Sequence, residues 1–479
     1  MMKRWTAACV LILVCMLFGC SRYEPSAEIE RSAAGIEAEG SVQAEDGTQE
    51  AADGEEESTA AAAAAGSSQE KDGSQNSEGQ ETEAGEFITI STYPPRNPVK
   101  VKGIYVSAYV AGTEDRMNSI IEQVDATELN AVVIDVKDDQ GRITFAMDSP
   151  TVNEIGAVQP FIGDMPALIA KLKEHGIYPI ARVVAFRDPY LAEQKPEWSL
   201  HTADGSIYRD SQGLAWVNPY RREVWDYLIE VAKKAGEIGF EEIQFDYIRF
   251  TVDRTMKDVV FDEADTQGRD KTQAITEFIT YAYEELASQG LFVSADVFGT
   301  IIGSQEDAAS VGQDYGEMAE HLDYLCPMIY PSHYGPGNFG IEHPDTQPYD
   351  TVYQALRGSK DVLAAKAGDA PQAVVRPWLQ DFTASYLDTY IEYGDEQVRQ
   401  QIQAVYDVGY DEWILWDAGV SYHYGGLLDP EAAAQEEAQI AAEREAALRA
   451  LEEAGTAAPE NPASADETAA APENPALAE

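Results

Sequence analysis

The chain of 479 residues contains little cysteine, histidine or positive charge. Three of its four cysteines, Cys9, Cys15 and Cys20, fall within the first twenty residues, so Cys326 stands alone in the remainder. One cysteine cannot form an internal disulfide, and it cannot build a zinc site of the several-cysteine type. The six histidines show no HExxH spacing. We therefore expect neither a cofactor nor a metal site.

Lysine and arginine number 33, against 85 aspartates and glutamates, which gives a formal net charge of −52. This excess of negative charge repels a phosphate backbone, so we expect no nucleic-acid partner. The GxSxG motif of α/β-type serine hydrolases is missing from the sequence as well. A large core is nevertheless expected, because 44% of the residues are hydrophobic and seven are tryptophan.

The first twenty residues predict an export signal. Lys3 and Arg4 precede an apolar run, Thr6–Phe18, that is too short to span a bilayer comfortably. The run ends in LFGC, which resembles a bacterial lipobox, where cleavage precedes a cysteine that is then lipidated. An uncleaved membrane anchor is the alternative, and both interpretations place the rest of the chain outside the cytoplasmic membrane. We expect lipidation at Cys20 to attach the protein to the bacterial cell membrane.

Composition divides the remainder into three segments. Residues 21–90 are rich in Glu, Ala, Ser, Gly and Gln, with few large apolar groups, and predict a disordered acidic linker after the lipoprotein signal peptide (1–20). Apolar, β-branched runs then mark a folded domain over residues 91–430. Residues 431–479 begin with an Ala/Glu-rich helical pattern over 431–453 and end in a tail that we expect to be disordered.

Eight apolar runs alternate with helical patterns across residues 91–430. Continuous apolar runs predict strands that are buried on both faces, as in parallel sheets. Eight such strands with helices between them predict a (β/α)8 TIM barrel; a doubly wound open sheet is the alternative. The predicted strands are Val101–Val110, Ala131–Val136, Tyr178–Phe186, Glu242–Ile248, Leu291–Phe298, Tyr324–Tyr330, Val374–Leu379 and Glu412–Trp416.

Two aspartates, Asp246 and Asp296, lie between apolar neighbours within predicted strands. TIM barrels carry their catalytic groups at the carboxyl ends of the strands, and a buried carboxylate is costly unless it is paired or functional. Neighbouring strands are about 4.8 Å apart, near the separation of about 5–5.5 Å between the carboxyl groups of a retaining glycosidase. We predict Asp246 as nucleophile and Asp296 as acid/base, with exchanged roles as an option. An ion pair of Asp246 with Arg182 or Arg249 is the structural alternative.

Polar and aromatic side chains follow nearly every predicted strand, and a barrel gathers such groups at one mouth. Acidic residues also start helices, and aromatic rings also pack in cores, so each residue alone is a weak signal. Asp138 and Asp381 are further candidates for the acid, and Asp135, Asp138 and Asp139 offer calcium ligands without EF-hand spacing. The predicted substrate-binding residues are Asp135, Lys137, Asp138, Arg187, Arg249, Tyr330, His333, Trp378, Gln380, Asp381, Trp416 and Asp417.

Several segments resemble the glycoside hydrolase domain of bacterial exported proteins, a (β/α)8 family. They include AVVIDVKDDQGRITF, YPIARVVAFRDPYLA, VSADVFG, LCPMIYPSHY, RPWLQDF and WILWDAG. The segment WVNPYRREVWDYLIEVAKKAGEIGFEEIQFDYIRF is also similar to the glycosyl hydrolase-like family 10 envelope proteins. The resemblance covers residues 100–425 and implies carbohydrate hydrolysis, with Asp246 and Asp296 at the strand-4 and strand-5 positions. A peptidoglycan glycan is one substrate that it implies.

Taken together, the sequence predicts a lipid-anchored, extracytoplasmic glycosidase that cleaves a cell-envelope or extracellular polysaccharide by a two-carboxylate retaining mechanism. A non-catalytic carbohydrate-binding surface lipoprotein is the main alternative. A polysaccharide deacetylase or lyase acting in the same pocket is a third interpretation, which would require metal dependence or an unsaturated product.

Overall fold

A computed structural model describes residues 93–366 and 371–456, with side chains described as far as residue 450. The predicted signal peptide (1–20), the acidic linker (21–90) and the end of the tail, from residue 457, lie outside the described residues. Within the described residues, no helix has the length and apolar character needed to cross a membrane.

Eight parallel strands close into a barrel in the order β1-β2-β5-β6-β7-β8-β10-β11, with β11 pairing back to β1. This closure confirms the predicted (β/α)8 TIM barrel, and each predicted strand contributes one barrel strand. The strands in chain order are β1 (Lys102–Val106), β2 (Ala131–Lys137), β3 (Ile143–Phe145), β4 (Val158–Ile162), β5 (Tyr178–Val184), β6 (Glu242–Asp246), β7 (Phe292–Phe298), β8 (Tyr324–Ile329), β9 (Val374–Val375), β10 (Trp378–Gln380) and β11 (Trp413–Trp416).

Helices connect most of the barrel strands. The four helical patterns that the sequence predicts in this domain appear with their ends displaced by no more than two residues; they are residues 165–175, 221–238, 272–289 and 396–408. Helix α8 starts at a capping box, in which Asp270 accepts from the Gln273 N–H and Gln273 accepts from the Asp270 N–H. The α-helices are α1 (Ala108–Ala111), α2 (Glu114–Ala126), α3 (Pro150–Ile155), α4 (Met165–Glu174), α5 (Pro189–Gln194), α6 (Arg222–Glu237), α7 (Glu263–Thr266), α8 (Lys271–Ala287), α9 (Gln305–Val311), α10 (Tyr315–Met318), α11 (Pro348–Lys366), α12 (Asp395–Val408) and α13 (Pro430–Thr456).

Short 3-10 helices occupy the loops, several of them beside the carboxyl ends of the strands. They are Pro196–Trp198, Arg254–Asp258, Gly299–Ile302, Pro331–His333, Asn338–Gly340, Pro344–Thr346 and Tyr424–Gly426. Helix α13 belongs to a second compact unit, which begins at Leu428, and spans the predicted helical pattern of 431–453.

Some strands end at residues other than the predicted ones, and local interactions explain these differences. The first predicted strand was too long, because the Ser107 side chain accepts from the Val110 N–H and starts helix α1. After β2 the chain adds β3, which pairs antiparallel with β2, and β4, which pairs with β3. The three middle residues of β4 are exposed, so this excursion lacked the apolar pattern that marks a buried strand.

A buried ion cluster closes the barrel at the amino ends of its strands. Arg376 Nη1 donates to Glu242 Oε1 at 2.7 Å, and Arg376 Nε donates to Glu412 Oε2 at 2.8 Å. The Arg376 guanidinium also lies 3.8 Å from the centre of the Tyr324 ring. Glu242 and Asp246 stand at opposite ends of β6, so this cluster lies at the far end of the barrel from the predicted catalytic pair.

Candidate active site

A narrow pocket opens at the carboxyl ends of the barrel strands, the end at which TIM-barrel enzymes hold their active sites. Its volume is about 70 Å³. Seven predicted site residues line it, namely Asp246, Asp296, Arg249, Tyr330, His333, Trp378 and Trp416, together with Arg182, Tyr247, Phe298 and Met328.

Arg182 holds the carboxylate of Asp246 in a fixed orientation. Asp246 Oδ2 accepts from Arg182 Nη2 at 2.5 Å and from Nε at 3.1 Å, while Oδ1 accepts from the Tyr247 backbone N–H at 2.6 Å. The structural alternative considered for Asp246, an ion pair with Arg182, is thus present in the structure, and both partners line the pocket. Tyr247 has a φ of 51°, a conformation that is rare for bulky residues and often belongs to functional sites.

The same guanidinium also binds a second carboxylate. Arg182 Nη1 donates to Asp135 Oδ1 at 2.7 Å, and the Tyr105 hydroxyl donates to Asp135 Oδ2 at 2.6 Å. Arg182 therefore bridges Asp135 and Asp246, and all three side chains are almost fully buried. Asp135 thus contacts Arg182 behind the pocket wall and does not line the pocket itself.

Asp296 has a different environment from Asp246. Asp296 Oδ1 accepts from Trp378 Nε1 at 2.6 Å, and among the described residues no cation forms an ion pair with its side chain. Burial, reinforced by the negative charge of Asp246, holds the pKa of Asp296 well above its ordinary value, although the Trp378 hydrogen bond and the charge of Arg182 act in the opposite direction. The raised pKa extends the pH range over which Asp296 holds a proton.

The strand register places the two aspartates at the same level. Phe245 of β6 pairs with Ala295 of β7, so the following residues, Asp246 and Asp296, lie side by side at the barrel mouth. Strands that pair in this way are about 4.8 Å apart. One carboxylate is ion-paired and its neighbour has a raised pKa, which is the unequal arrangement that acid/base and nucleophilic chemistry needs from two carboxyl groups.

Two ring nitrogens in the pocket lack hydrogen-bond partners. Trp416 Nε1 and His333 Nε2 are both buried atoms for which no partner is found among the described residues. Burial lowers the pKa of His333 to about 4, so its imidazole is neutral at neutral pH. An unsatisfied buried polar atom costs about 1–3 kcal/mol, and both nitrogens would recover that cost by binding a polar ligand group.

Lys137 is the clearest case of a predicted binding residue that the structure keeps out of the pocket. Its ammonium is fully buried and contacts Asp188 Oδ2 and the Val184 carbonyl oxygen at 2.8 and 2.6 Å. Along a regular strand, Lys137 would share the face of Asp135, but the register with β5 shifts between these two residues. Such a bulge changes the side-chain direction, and the contacts of Lys137 are those of a structural ion pair.

Four other predicted residues, Gln380, Asp381, Asp138 and Asp417, stay outside the pocket because neighbouring loops bind them. Gln380 is fully buried, and its amide bonds to Asp345, to the Phe382 carbonyl oxygen and to the Ser332 N–H. Asp381 accepts from the His423 N–H and contacts His423 Nδ1 at 2.5 Å, and burial raises its pKa to about 6. Asp138 accepts from two backbone N–H groups of its own turn, and Asp417 accepts from the Ser421 N–H.

Arg187 reaches the rim of the pocket through another residue. Its Nη1 donates to the Tyr247 hydroxyl at 2.6 Å, and its Nη2 pairs with Asp139 at 2.8 Å. Because Tyr247 lines the pocket, Arg187 can influence a ligand by positioning this ring. Burial, together with the charge of Asp135, raises the pKa of Asp139, while Arg182 opposes that rise.

Sequence reasoning did not assign Arg182, Tyr247, Phe298 or Met328 to the pocket. Arg182 carried a usable signal, since it is a charged residue inside the apolar strand YPIARVV, the same pattern that selected Asp246. Tyr247 directly follows Asp246. Phe298 and Met328 are apolar residues near the ends of their strands and could not be distinguished from core residues.

A larger cavity, of about 370 Å³, lies next to the narrow pocket, and Phe298 lines both. Its other walls come mainly from the loop after β6 and from the region of α9. Among the described residues, the cluster with metal-binding geometry is Glu317, Glu320 and His321, outside the residues that line either cavity. Glu317 in this cluster already pairs with Lys366 at 2.5 Å.

A family described as "Putative glycosyl hydrolase domain" matches residues 103–422. The chain belongs to this family, which makes it a glycosidase-type TIM barrel. No functionally curated protein matches the chain.

Solved structures with similarity to the chain include a hypothetical protein from Ruminiclostridium thermocellum, 38% identical over 40% of this chain and 97% of that one, with a TM-score of 0.38. The glycoside hydrolase domain of PgaB from Bordetella bronchiseptica is 12% identical over 67% and 94% of the two chains, with a TM-score of 0.47. The glycoside hydrolase domain of PelA from Pseudomonas aeruginosa is 12% identical over 70% and 98%, with a TM-score of 0.38. Because these scores are low, the fold assignment rests on the strand topology described above.

Proposed function

We propose that the protein hydrolyses a glycosidic bond of a cell-envelope or extracellular polysaccharide, with Asp246 as nucleophile and Asp296 as acid/base. The observation that carries this proposal is the pair of adjacent carboxyl groups in one pocket, one ion-paired with Arg182 and the other with a pKa well above its ordinary value. Asp296 would protonate the leaving oxygen while Asp246 attacks the anomeric carbon. Water activated by Asp296 would then release the sugar.

The rest of the site supports this assignment. Trp378 and Trp416 pack edge to face with their ring centres 5.6 Å apart, and they present aromatic surface of the kind on which the C–H faces of sugars stack. The two tryptophans and the two aspartates line the same pocket, so a sugar stacked on the rings would lie beside the carboxyl groups. The proposed cellular setting is extracytoplasmic, with lipidation at Cys20 holding the enzyme near its glycan and peptidoglycan as one candidate.

A second candidate function is carbohydrate binding without catalysis. The observation that favours it is the two-pronged grip of Arg182 on Asp246 Oδ2, because the oxygen held in this way is less available for attack. Asp246 Oδ1 is also occupied by the Tyr247 N–H in this structure. Oδ1 accepts this single hydrogen bond and keeps a second lone pair, so Oδ1 is the oxygen that would attack in the catalytic alternative.

Aryl glycosides with good and poor leaving groups distinguish the candidates. Mass spectrometry of the products released from peptidoglycan and a glycan panel first identifies a sugar that the protein cleaves. Asp246→Asn and Asp296→Asn are then assayed on two aryl glycosides of that sugar, one with a good and one with a poor leaving group. We expect Asp246→Asn to lose activity on both, because the nucleophile is needed whatever group departs. Asp296→Asn should lose far more activity on the poor leaving group, which needs the proton.

The control is Asp323→Asn, which alters an aspartate paired with Arg96 away from the pocket and should leave both rates unchanged. Equal losses on the two leaving groups in Asp296→Asn would contradict its role as the acid. Binding of the glycan panel without release of product, retained in both variants, would establish the non-catalytic alternative instead.

A further inference from the structure

The pocket contains a second guanidinium, Arg249, that differs from Arg182 and Arg187 in its partners. Arg249 is 6% exposed and lines the pocket three residues after Asp246. Its guanidinium carbon lies 5.3, 4.8 and 4.3 Å from the ring centres of Trp216, Tyr247 and Phe298. The charged group is therefore enclosed by aromatic rings and directed to the cavity.

No carboxylate of the described residues lies in salt-bridge range of the Arg249 guanidinium. Arg182 has Asp135 and Asp246, and Arg187 has Asp139, whereas the hydrogen bond found for Arg249 runs to the Phe250 carbonyl oxygen at 3.3 Å. Burial lowers the pKa of Arg249 to about 10, which still leaves it charged at neutral pH. Asp246 and Asp210 attract this buried cation without contacting it as ion pairs, so an anionic ligand hydrogen-bonded to Arg249 would offset more of the cost of its burial.

We propose that the narrow pocket binds the carboxylate of a hexuronate residue in the glycan, with Arg249 as its counter-ion. This inference rests on the proposed function, because it names the substrate class of the same site. An arginine fork matches a carboxylate through two parallel hydrogen bonds. At about 70 Å³ this pocket is the smaller of two neighbouring cavities, which favours a small planar group inside it.

The other pocket atoms fit the same ligand. Trp416 Nε1 can donate to a carboxylate or hydroxyl oxygen, and His333 Nε2 can donate or accept according to its tautomer. Phe298 and Trp416 supply apolar surface for the ring that carries the acid. The net charge of −52 disfavours a dense polyanion, so the expected glycan contains hexuronates separated by neutral sugars.

Equilibrium binding of two matched probes tests the proposal. Sodium D-glucuronate and D-glucuronamide share one sugar ring and differ in the charge of a single group, and each is titrated into the full-length protein at pH 7 with calorimetric or NMR detection. We expect the wild type to bind glucuronate at least about tenfold more tightly, equivalent to about 1.4 kcal/mol. Added salt should weaken only the charged probe.

Arg249→Met should abolish the preference for glucuronate while retaining the fold, because it removes a buried charge and keeps a long apolar side chain. Arg249→Lys, which keeps the charge without the fork, should retain part of the preference and provides a second test if the methionine variant does not fold. Arg222→Met is the matched control: its guanidinium lies 3.3 Å from the Tyr281 ring centre and pairs with Asp226, outside the pocket. It should bind both probes as the wild type does.

The possible outcomes separate this inference from the proposed function. Equal affinity of the wild type for glucuronate and glucuronamide, including no detectable binding of either, would overturn it. A preference for glucuronate that persists in Arg249→Met would also overturn the inference. Acetate that binds as tightly as glucuronate would overturn it as well. A glucuronate preference that depends on Arg249, in a protein that cleaves no glycan, would support the inference while removing the hydrolase proposal.

Discussion

Asp296→Asn should remove most of the hydrolytic activity without harming the fold. The substitution preserves side-chain size, and the asparagine carbonyl can still accept the Trp378 Nε1–H hydrogen bond that Asp296 accepts at 2.6 Å. What disappears is the proton that the carboxyl group would give to the leaving oxygen. General acid catalysis contributes about 10²- to 10⁴-fold, so the barrier should rise by about 3–5 kcal/mol on a poor leaving group.

The stability difference between the wild type and Asp296→Asn should change with pH in a definite direction. The folded-state pKa of Asp296 is raised above its unfolded value, so its favourable contribution is complete below the unfolded pKa and is lost as the pH rises through the folded pKa. Asparagine does not titrate. The wild type should therefore become less stable relative to Asp296→Asn as the pH increases, and the variant should be at least as stable as the wild type in alkaline solution.

Urea unfolding from about pH 2 to pH 9 and rates on paired aryl glycosides measure these two effects. Asp253→Asn is the control of opposite sign: burial opposes ionisation of Asp253, but hydrogen bonds from Ser211 and Thr255 outweigh it and lower its pKa. Its stabilising contribution should be present above the unfolded pKa and disappear as the pH falls. If the wild type instead became more stable relative to Asp296→Asn as the pH rises, the raised pKa of Asp296 would be refuted.

Three further predictions follow from single contacts. Arg376→Met leaves two buried glutamates without their counter-charge and should cost about 3–5 kcal/mol of unfolding free energy in urea, whereas a loss below 1 kcal/mol would contradict the strength assigned to this cluster. Burial and Asp139 raise the pKa of Asp138 to about 7, so the wild type should lose stability relative to Asp138→Asn as the pH rises through about 7; a flat difference would be contrary evidence. Trp378→Phe removes a hydrogen bond that lowers the pKa of Asp296, so the alkaline limb of the pH–rate profile should move to higher pH, and a shift to lower pH would argue against Asp296 as the acid.

The barrel could be predicted from the sequence because its strands are buried on both faces. Runs such as AVVIDVK and YPIARVV contain few residues that tolerate water, so each of them marks a strand without reference to the rest of the chain. The β3–β4 excursion was missed because β4 exposes its middle residues and has no comparable pattern. The seventh predicted strand divides into β9 and β10 at Arg376 and Pro377, where proline lacks an amide hydrogen for the ladder.

The candidate site was predictable in its position and less so in its membership. Asp246 and Asp296 could be found because a charged residue in an apolar strand requires a partner or a role. Lys137 follows a strand in the same way, but its partner Asp188 lies 51 positions further along the chain, and the bulge beside it leaves no sequence signal. Arg249 is the opposite case. It is distinguished by the lack of an ion-pair partner among the described residues, and the sequence carries no sign of this.

Two neighbouring cavities, of about 70 Å³ and about 370 Å³, have one lining residue in common, Phe298. Under the proposed function, a smaller side chain here would join the two cavities and lengthen the site, and it would also remove one of the three rings around Arg249 while Asp246 and Asp296 stay unchanged. Relatives with a small residue here should have a single continuous trough, and they should accept longer oligosaccharides. Divergence in product size could thus arise at one apolar side chain, without any change in the reacting groups.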